Sequence, residues 1–148
     1  MKRIVKILII VVMMITLTAC TQGKKISTED IVKKLSDMNF VTNDVSSEME
    51  DSSIKKVIVA NNNKISLEYY VFESEDSAKK AYGTNLESLK GNKDFKVKEK
   101  NGSNYSKSTQ STKSLYNVII RAEDTLIYSS VNVNYKSDVD KVIKKLGY

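Results

Sequence analysis

The sequence predicts an α+β domain, one antiparallel sheet with helices packed on one face. Two observations carry this. Short apolar runs with strand character come in pairs separated by turn residues, the mark of antiparallel hairpins. Around and between them lie three stretches whose apolar residues recur at helical spacing. Together they give the order α-β-β-α-β-β-β-β-α over residues 26–148.

The first helix is Thr28–Met38. Ser27 and Asp30 have the spacing of a capping pair, and Ile31, Leu35 and Met38 fall on one face. Phe40-Val41 leaves the helix, and Thr42–Ser53 is polar and acidic, the composition of a loop. Ile54–Ala60 and Ile65–Phe72 read as strands joined by Asn61-Asn62-Asn63-Lys64, because Asn favours turns and tolerates positive φ. In the second of these strands Ile65, Leu67, Tyr69 and Val71 share a face. A helix from Ser74 to about Lys90 buries Ala78, Ala81, Tyr82, Leu86 and Leu89, with Gly83 costing it about 1 kcal/mol relative to Ala. Asp94–Lys100 alternates, Phe95 and Val97 inward and lysines outward, and Asn101-Gly102 is a hairpin turn leading to a weak partner at Asn104–Ser108. Leu115–Arg121 and Thr125–Val133 form a third hairpin. The last helix, Tyr135–Leu146, presents Val139, Val142, Ile143 and Leu146 and ends at Gly147, a natural left-handed cap. Two ββα units, Ile54–Lys90 and Leu115–Leu146, align in hydrophobic pattern at a shift of 61, which raises an internal duplication alongside the plain reading that any two such units share a pattern.

Composition removes several chemistries. The 148 residues contain no His, no Pro, no Trp and one Cys. No imidazole base, Ser-His pair or His metal ligand exists, and a single Cys forms no intrachain disulfide. The net charge of +6 is inflated by residues 1–19, which hold Lys2, Arg3 and Lys6 and no acid. Without them 21 basic side chains face 18 acidic ones, a balance of +3. That is too weak and scattered for a nucleic-acid footprint.

Residues 1–19 have the layout of an export signal. Met1–Lys6 is basic, Ile7–Leu17 (ILIIVVMMITL) is apolar apart from Thr16, and small residues follow. The apolar run is short for a span of roughly 20 residues. Leu17-Thr18-Ala19-Cys20 resembles the lipobox of bacterial lipoproteins: an aliphatic residue, two small residues, then Cys. The resemblance covers residues 1–20 alone. It implies diacylglycerol on the Cys20 sulfur, with palmitate-type acyl chains, and cleavage between Ala19 and Cys20. It also implies an outward-facing cell-membrane location. Two acyl chains anchor stably where one does not. Residues 20–25 then form a tether, and Thr21–Lys25 reaches about 18 Å when extended. Lys24 and Lys25 are either solvated linker or a contact to anionic lipid.

No residue pattern specifies catalysis. Glu73, Glu75 and Asp76 sit where acids complement a helix N-terminus. Glu48, Glu50 and Asp51 lack the spacing of a calcium loop, and no metal or other cofactor is expected. There is no P-loop, GxGxxG, GxSxG or SxxK. What remains is a candidate binding surface. Lys96, Lys98 and Lys100 share one strand face; they either guard an edge strand or form a patch for anionic lipid or wall polymer. Tyr70, Tyr105, Tyr116 and Tyr128 either fill the sheet or present a polar-tipped surface. The expectation is a membrane-anchored, non-catalytic domain that binds a protein or peptide partner; the alternative is a module for a small ligand or cell-wall polymer. A cleft distinguishes the small ligand and a flat surface the macromolecule, whereas an enzyme would need two carboxyls converging in a cleft.

Overall fold

The computed structural model describes residues 23–90 and 94–148. The export signal, the Ala19–Cys20 cleavage position and the lipid-attachment thiol of Cys20 lie outside these. The chain runs α1 (Thr28–Asp37), β1 (Val41–Asp44), β2 (Ile54–Asn61), β3 (Ser66–Phe72), α2 (Glu75–Lys90), β4 (Lys96–Asn101), β5 (Tyr105–Ser111), β6 (Leu115–Ala122), β7 (Thr125–Asn132) and α3 (Lys136–Leu146), with 3-10 turns at Ser46–Glu48 and Val133–Tyr135. All seven strands join one antiparallel sheet in the order β1-β2-β3-β7-β6-β5-β4.

The α+β class and the antiparallel sheet are as the sequence predicts. The layering differs. Helices α1 and α3 pack on one face, where Ile31, Leu35, Val139, Ile143 and Leu146 meet Leu67, Tyr69, Val118, Ile120 and Ile127. Helix α2 packs on the other, where Ala78, Tyr82 and Leu86 meet Phe72, Ile119 and Leu126. Neighbours in one strand point to opposite faces. Val118, Ile119 and Ile120 are all within 1 % of full burial, so both faces of β6 must be covered. Helices on one face alone would leave Ile119 and Leu126 in water.

The order gains a strand, because β1 forms where the sequence suggests an exit and a loop. Its residues VTND are mostly exposed, and pairing to the edge of β2 makes it a strand. The duplication fails. A rotation that lays the β2–β3 hairpin on β6–β7 keeps the faces of the sheet, yet α2 and α3 leave to opposite faces. The shift of 61 also sets Leu67, on the α1/α3 face, against Tyr128, on the α2 face.

Local chemistry explains the turns and caps. The Ser27 hydroxyl accepts from the Asp30 amide at 3.1 Å, closing the start of α1. The β2–β3 turn is closed by the Asn62 side chain, which accepts from the amides of Lys64 and Ile65 at 2.9 and 2.8 Å. Positive φ is not what the Asn run supplies: among the described residues other than Gly, only Asn39 and Glu123 adopt it. Gly147 ends α3 at φ 104°, as expected, and Tyr148 folds back to stack on Tyr105 with ring centres 6.3 Å apart.

The segment before α1 is packed from Gly23 onward, inside the stretch read as a tether. Gly23 is buried at φ +99°, and a Cβ there would lie 2.7 Å from the Tyr105 Cβ. Lys25 pairs with Asp124 at 2.7 Å, and the Ile26 carbonyl accepts from the Tyr69 hydroxyl at 2.6 Å. Substitution Gly23→Val combines a clash with a disfavoured backbone conformation, of order 1–3 kcal/mol. We expect it to unseat residues 23–26 and to raise tryptic cleavage after Lys24 and Lys25 by about tenfold or more. Unchanged cleavage would mean that this segment opens freely in the parent protein.

Candidate functional site

The sheet divides the nominated surface between its faces. Tyr70 and Tyr128 stand on the α2 face, while Tyr105, Tyr116, Lys96, Lys98 and Lys100 belong to the other. Tyr116 is 2 % exposed, and its hydroxyl donates to the Asp140 carboxylate at 2.6 Å. Tyr105 is half-buried against Gly23 and Tyr148. These two tyrosines fill the fold, and only Tyr70 and Tyr128 reach a common concavity.

That concavity is a cleft of about 280 Å3 between α2 and strands β2, β3 and β7. Ile54, Tyr70, Phe72, Ala81, Leu126 and Tyr128 supply its apolar wall. The rings of Tyr70 and Phe72 stack with centres 6.2 Å apart. Alternation along β3 places Glu68, Tyr70 and Phe72 on one side, so a carboxylate stands beside two aromatic rings. The Tyr70 hydroxyl donates to Oε2 of Glu68. Burial first, and then this bond, push the phenol well above its ordinary range. Tyr128 is half-buried, and its hydroxyl has no hydrogen-bond partner among the described residues.

Asp51 and Asn85 form the polar rim. The Ser53 hydroxyl and amide both donate to Asp51, the amide at 2.8 Å, and hold its carboxyl below the usual carboxylate range. The Asn85 amide donates to the Ala81 carbonyl at 2.9 Å, which fixes it to the helix. The cleft therefore pairs an aromatic wall with carboxylates at its floor and rim. That suits a group with an apolar stem and a positive head, held by Coulomb attraction and ring faces.

The sequence nominated the two tyrosines but not Glu68, Phe72, Leu126, Asp51 or Asn85. The period-2 pattern of β3 was the usable signal for Glu68 and Phe72. Asp51 and Asn85 come from a loop and a helix that only the fold brings together. Among the described residues, no group of three or more His, Cys, Asp or Glu is placed to hold a metal ion, and no helix is long and apolar enough to cross a membrane.

Compared with known protein families, characterised proteins and solved structures, the chain matches none.

The tyrosines make the site and core sensitive to alkali. Burial raises the phenols of Tyr82 and Tyr148 to about 12, and burial together with hydrogen bonding raises Tyr70 and Tyr116 further. In an unfolded chain they titrate near 10. A pKa raised by folding stabilises the native state fully below pH 10, and that contribution is lost as pH rises through the folded value. We expect tyrosinate absorbance to develop at clearly higher pH in the native protein than in urea, and the urea midpoint to fall steadily above pH 10. Coincident native and urea titrations would contradict the buried placement of these rings.

Proposed function

We propose that this protein is an exported lipoprotein, anchored through diacylglycerol on Cys20 to the outer side of the cell membrane. In this reading its domain is non-catalytic and binds a protein or peptide partner that offers a basic side chain to the α2 cleft. The observation that carries the binding half is the union of Tyr70, Phe72 and Tyr128 with Glu68 in one small concavity. Its volume lies just under the 300–1,000 Å3 typical of sites that enclose a whole small ligand. It suits one Lys or Arg side chain, whose methylene stem lies on the rings while its head meets Glu68. The remaining partner surface would lie across α2 and the β2–β3 strands.

The anchoring half rests on the lipobox and on the packed segment after it. Gly23 is already in the fold, so Thr21 and Gln22 alone separate it from Cys20. They reach about 11 Å with their flanking bonds. In this reading the pole of the sheet bearing the β4–β5 and β6–β7 turns sits against the membrane.

Two measurements test the halves separately. The Cys20→Ala chain is expected to leave the membrane fraction; retention there would overturn the anchor. Full-length protein in neutral detergent is expected to bind Lys- or Arg-containing peptides over matched Gln peptides. Glu68→Gln and Tyr128→Ala are each expected to weaken that binding about tenfold, the loss of roughly 1.4 kcal/mol of charge-assisted or ring contact. Equal binding of the Gln peptides, or no effect of either substitution, would remove the cleft from the function.

A further inference from the structure

The face opposite the cleft is open over β4 and β5. Lys96, Lys98 and Lys100 project from it as exposed side chains. As alternate residues of one strand they are spaced about 7 Å apart. On the neighbouring strand Lys107 lies directly across from Lys100. Like charges placed so destabilise a strand pair, and the Lys107 ammonium is pushed below its ordinary range by burial first and by Lys100 as well, against the pull of Asp140.

Helix α3 forms a wall beside this floor. Lys136, Asp140 and Lys144 make one stripe at four-residue spacing. The stripe faces the open sheet, because the Tyr116 hydroxyl bonds Asp140 and the Lys136 ammonium sits 5.2 Å from the centre of the Tyr116 ring. Elsewhere some lysines are paired, as in Lys25–Asp124, Lys56–Asp44 and Lys90–Glu99, and others among the described residues, such as Lys33, Lys55 and Lys80, are not, so what sets the trough apart is the crowding of its lysines on one open face. Lys96, Lys98, Lys107 and Lys144 form no ion pair among the described residues.

Guarding an edge accounts for part of this. β4 is an edge strand, and lysines on it discourage pairing with another chain. That role needs neither Lys107, which is on an interior strand, nor the two lysines of the helix wall. Cations on both sides of an open trough are what a thin, extended polyanion would contact. A bilayer is too broad to pass the α3 wall and reach Lys107. Among the described residues no exposed aromatic ring lines the trough, Tyr116 being buried, which leaves unstacked any nucleic acid base.

We propose that the trough binds a linear phosphodiester polymer without bases, laid along β5 between the β4 lysines and α3. Lysine meets each phosphate as a point charge, and Ser111, half-buried in the floor, places a hydroxyl among the cations, while the Thr109 side chain bonds the Tyr116 phenol. This site is separate from the α2 cleft and does not depend on the anchor.

The test titrates full-length protein in neutral detergent with fluorescent poly(glycerol phosphate) over a range of salt. Binding is expected to weaken as salt rises, with a slope of about −0.7 per neutralised charge, as for a single-stranded polyanion. The triple variant Lys96→Gln, Lys98→Gln, Lys100→Gln should bind at least tenfold more weakly, with a slope shallower by about 2. Lys33→Gln, on exposed α1, should bind as the parent does, and matching circular dichroism melts should establish that each variant is folded. Absence of binding at low salt, or a triple variant equal to the parent, would overturn the proposal. Equal affinity for polyglutamate, for single-stranded oligothymidylate or for phosphatidylglycerol vesicles would also overturn it, assigning the trough to an acidic peptide, a nucleic acid or a lipid surface.

Discussion

Strand β6 faces apolar matter on both sides, and the fold is arranged to satisfy it. Val118 and Ile120 enter one core and Ile119 the other, all but fully buried. A sheet whose central strand is apolar on both faces requires a layer above and a layer below. Helices α1 and α3 supply one and α2 the other. From that follow the crossing of α2 from the middle of the sheet to its far edge, and the return of α3 along the opposite side. Burying Ile119 and Leu126 contributes on the order of 1.5–3 kcal/mol each, which is lost if α2 lifts away.

How much of this was legible depended on whether a signal was local. The Ser27 cap, the Asn turn, the Gly147 terminus and the inner stripes of all three helices are set by residues within a turn or two of one another, so the sequence displays them. The layering was present too: Val118-Ile119-Ile120 is a continuous apolar run, which a strand half-exposed to water does not carry. Its weight was hidden by the tidy alternation of β3. Strand β1 was not legible, since VTND has little strand character and gains it from the edge of β2. At the site, the period of β3 points to Glu68 beside Tyr70, whereas Asp51 and Asn85 reach the cleft from a loop and a helix. No short-range pattern relates those to one another.

The two faces also separate two kinds of chemistry. On the α2 side, aromatic rings converge with Glu68 and Asp51. On the α3 side, a row of lysines lines an open floor beside Asp140. The contrast is local to the two sites, since the helices on both faces carry acids and bases alike, Glu75, Asp76, Lys79 and Lys80 on α2 and Asp138, Asp140, Lys141 and Lys144 on α3. The sheet keeps the two sites apart and carries the rings and Glu68 of one and the lysine row of the other on its strands, while a loop, α2 and α3 supply the rest. The short cross-strand register of β4 with β5 fixes the lysine row as firmly as the stacking of Tyr70 on Phe72 fixes the cleft.

The pairing of β3 with β7 has a consequence for how the molecule comes into being. Strands β1, β2 and β3 form one half-sheet from the first half of the chain, and β4 to β7 form the other. The backbone ladder from Glu68–Tyr128 to Val71–Thr125 is the seam between them. Its partners lie more than fifty residues apart, so chain entropy opposes the closure until α1, α2 and α3 can clasp both halves. Each hairpin can form early and alone, but it has no finished core to shelter it. Stable closure of this seam is therefore expected only once α3, which ends at Leu146, can cover it. A chain truncated before α3 would be left with its seam uncovered and its strands open to foreign pairing.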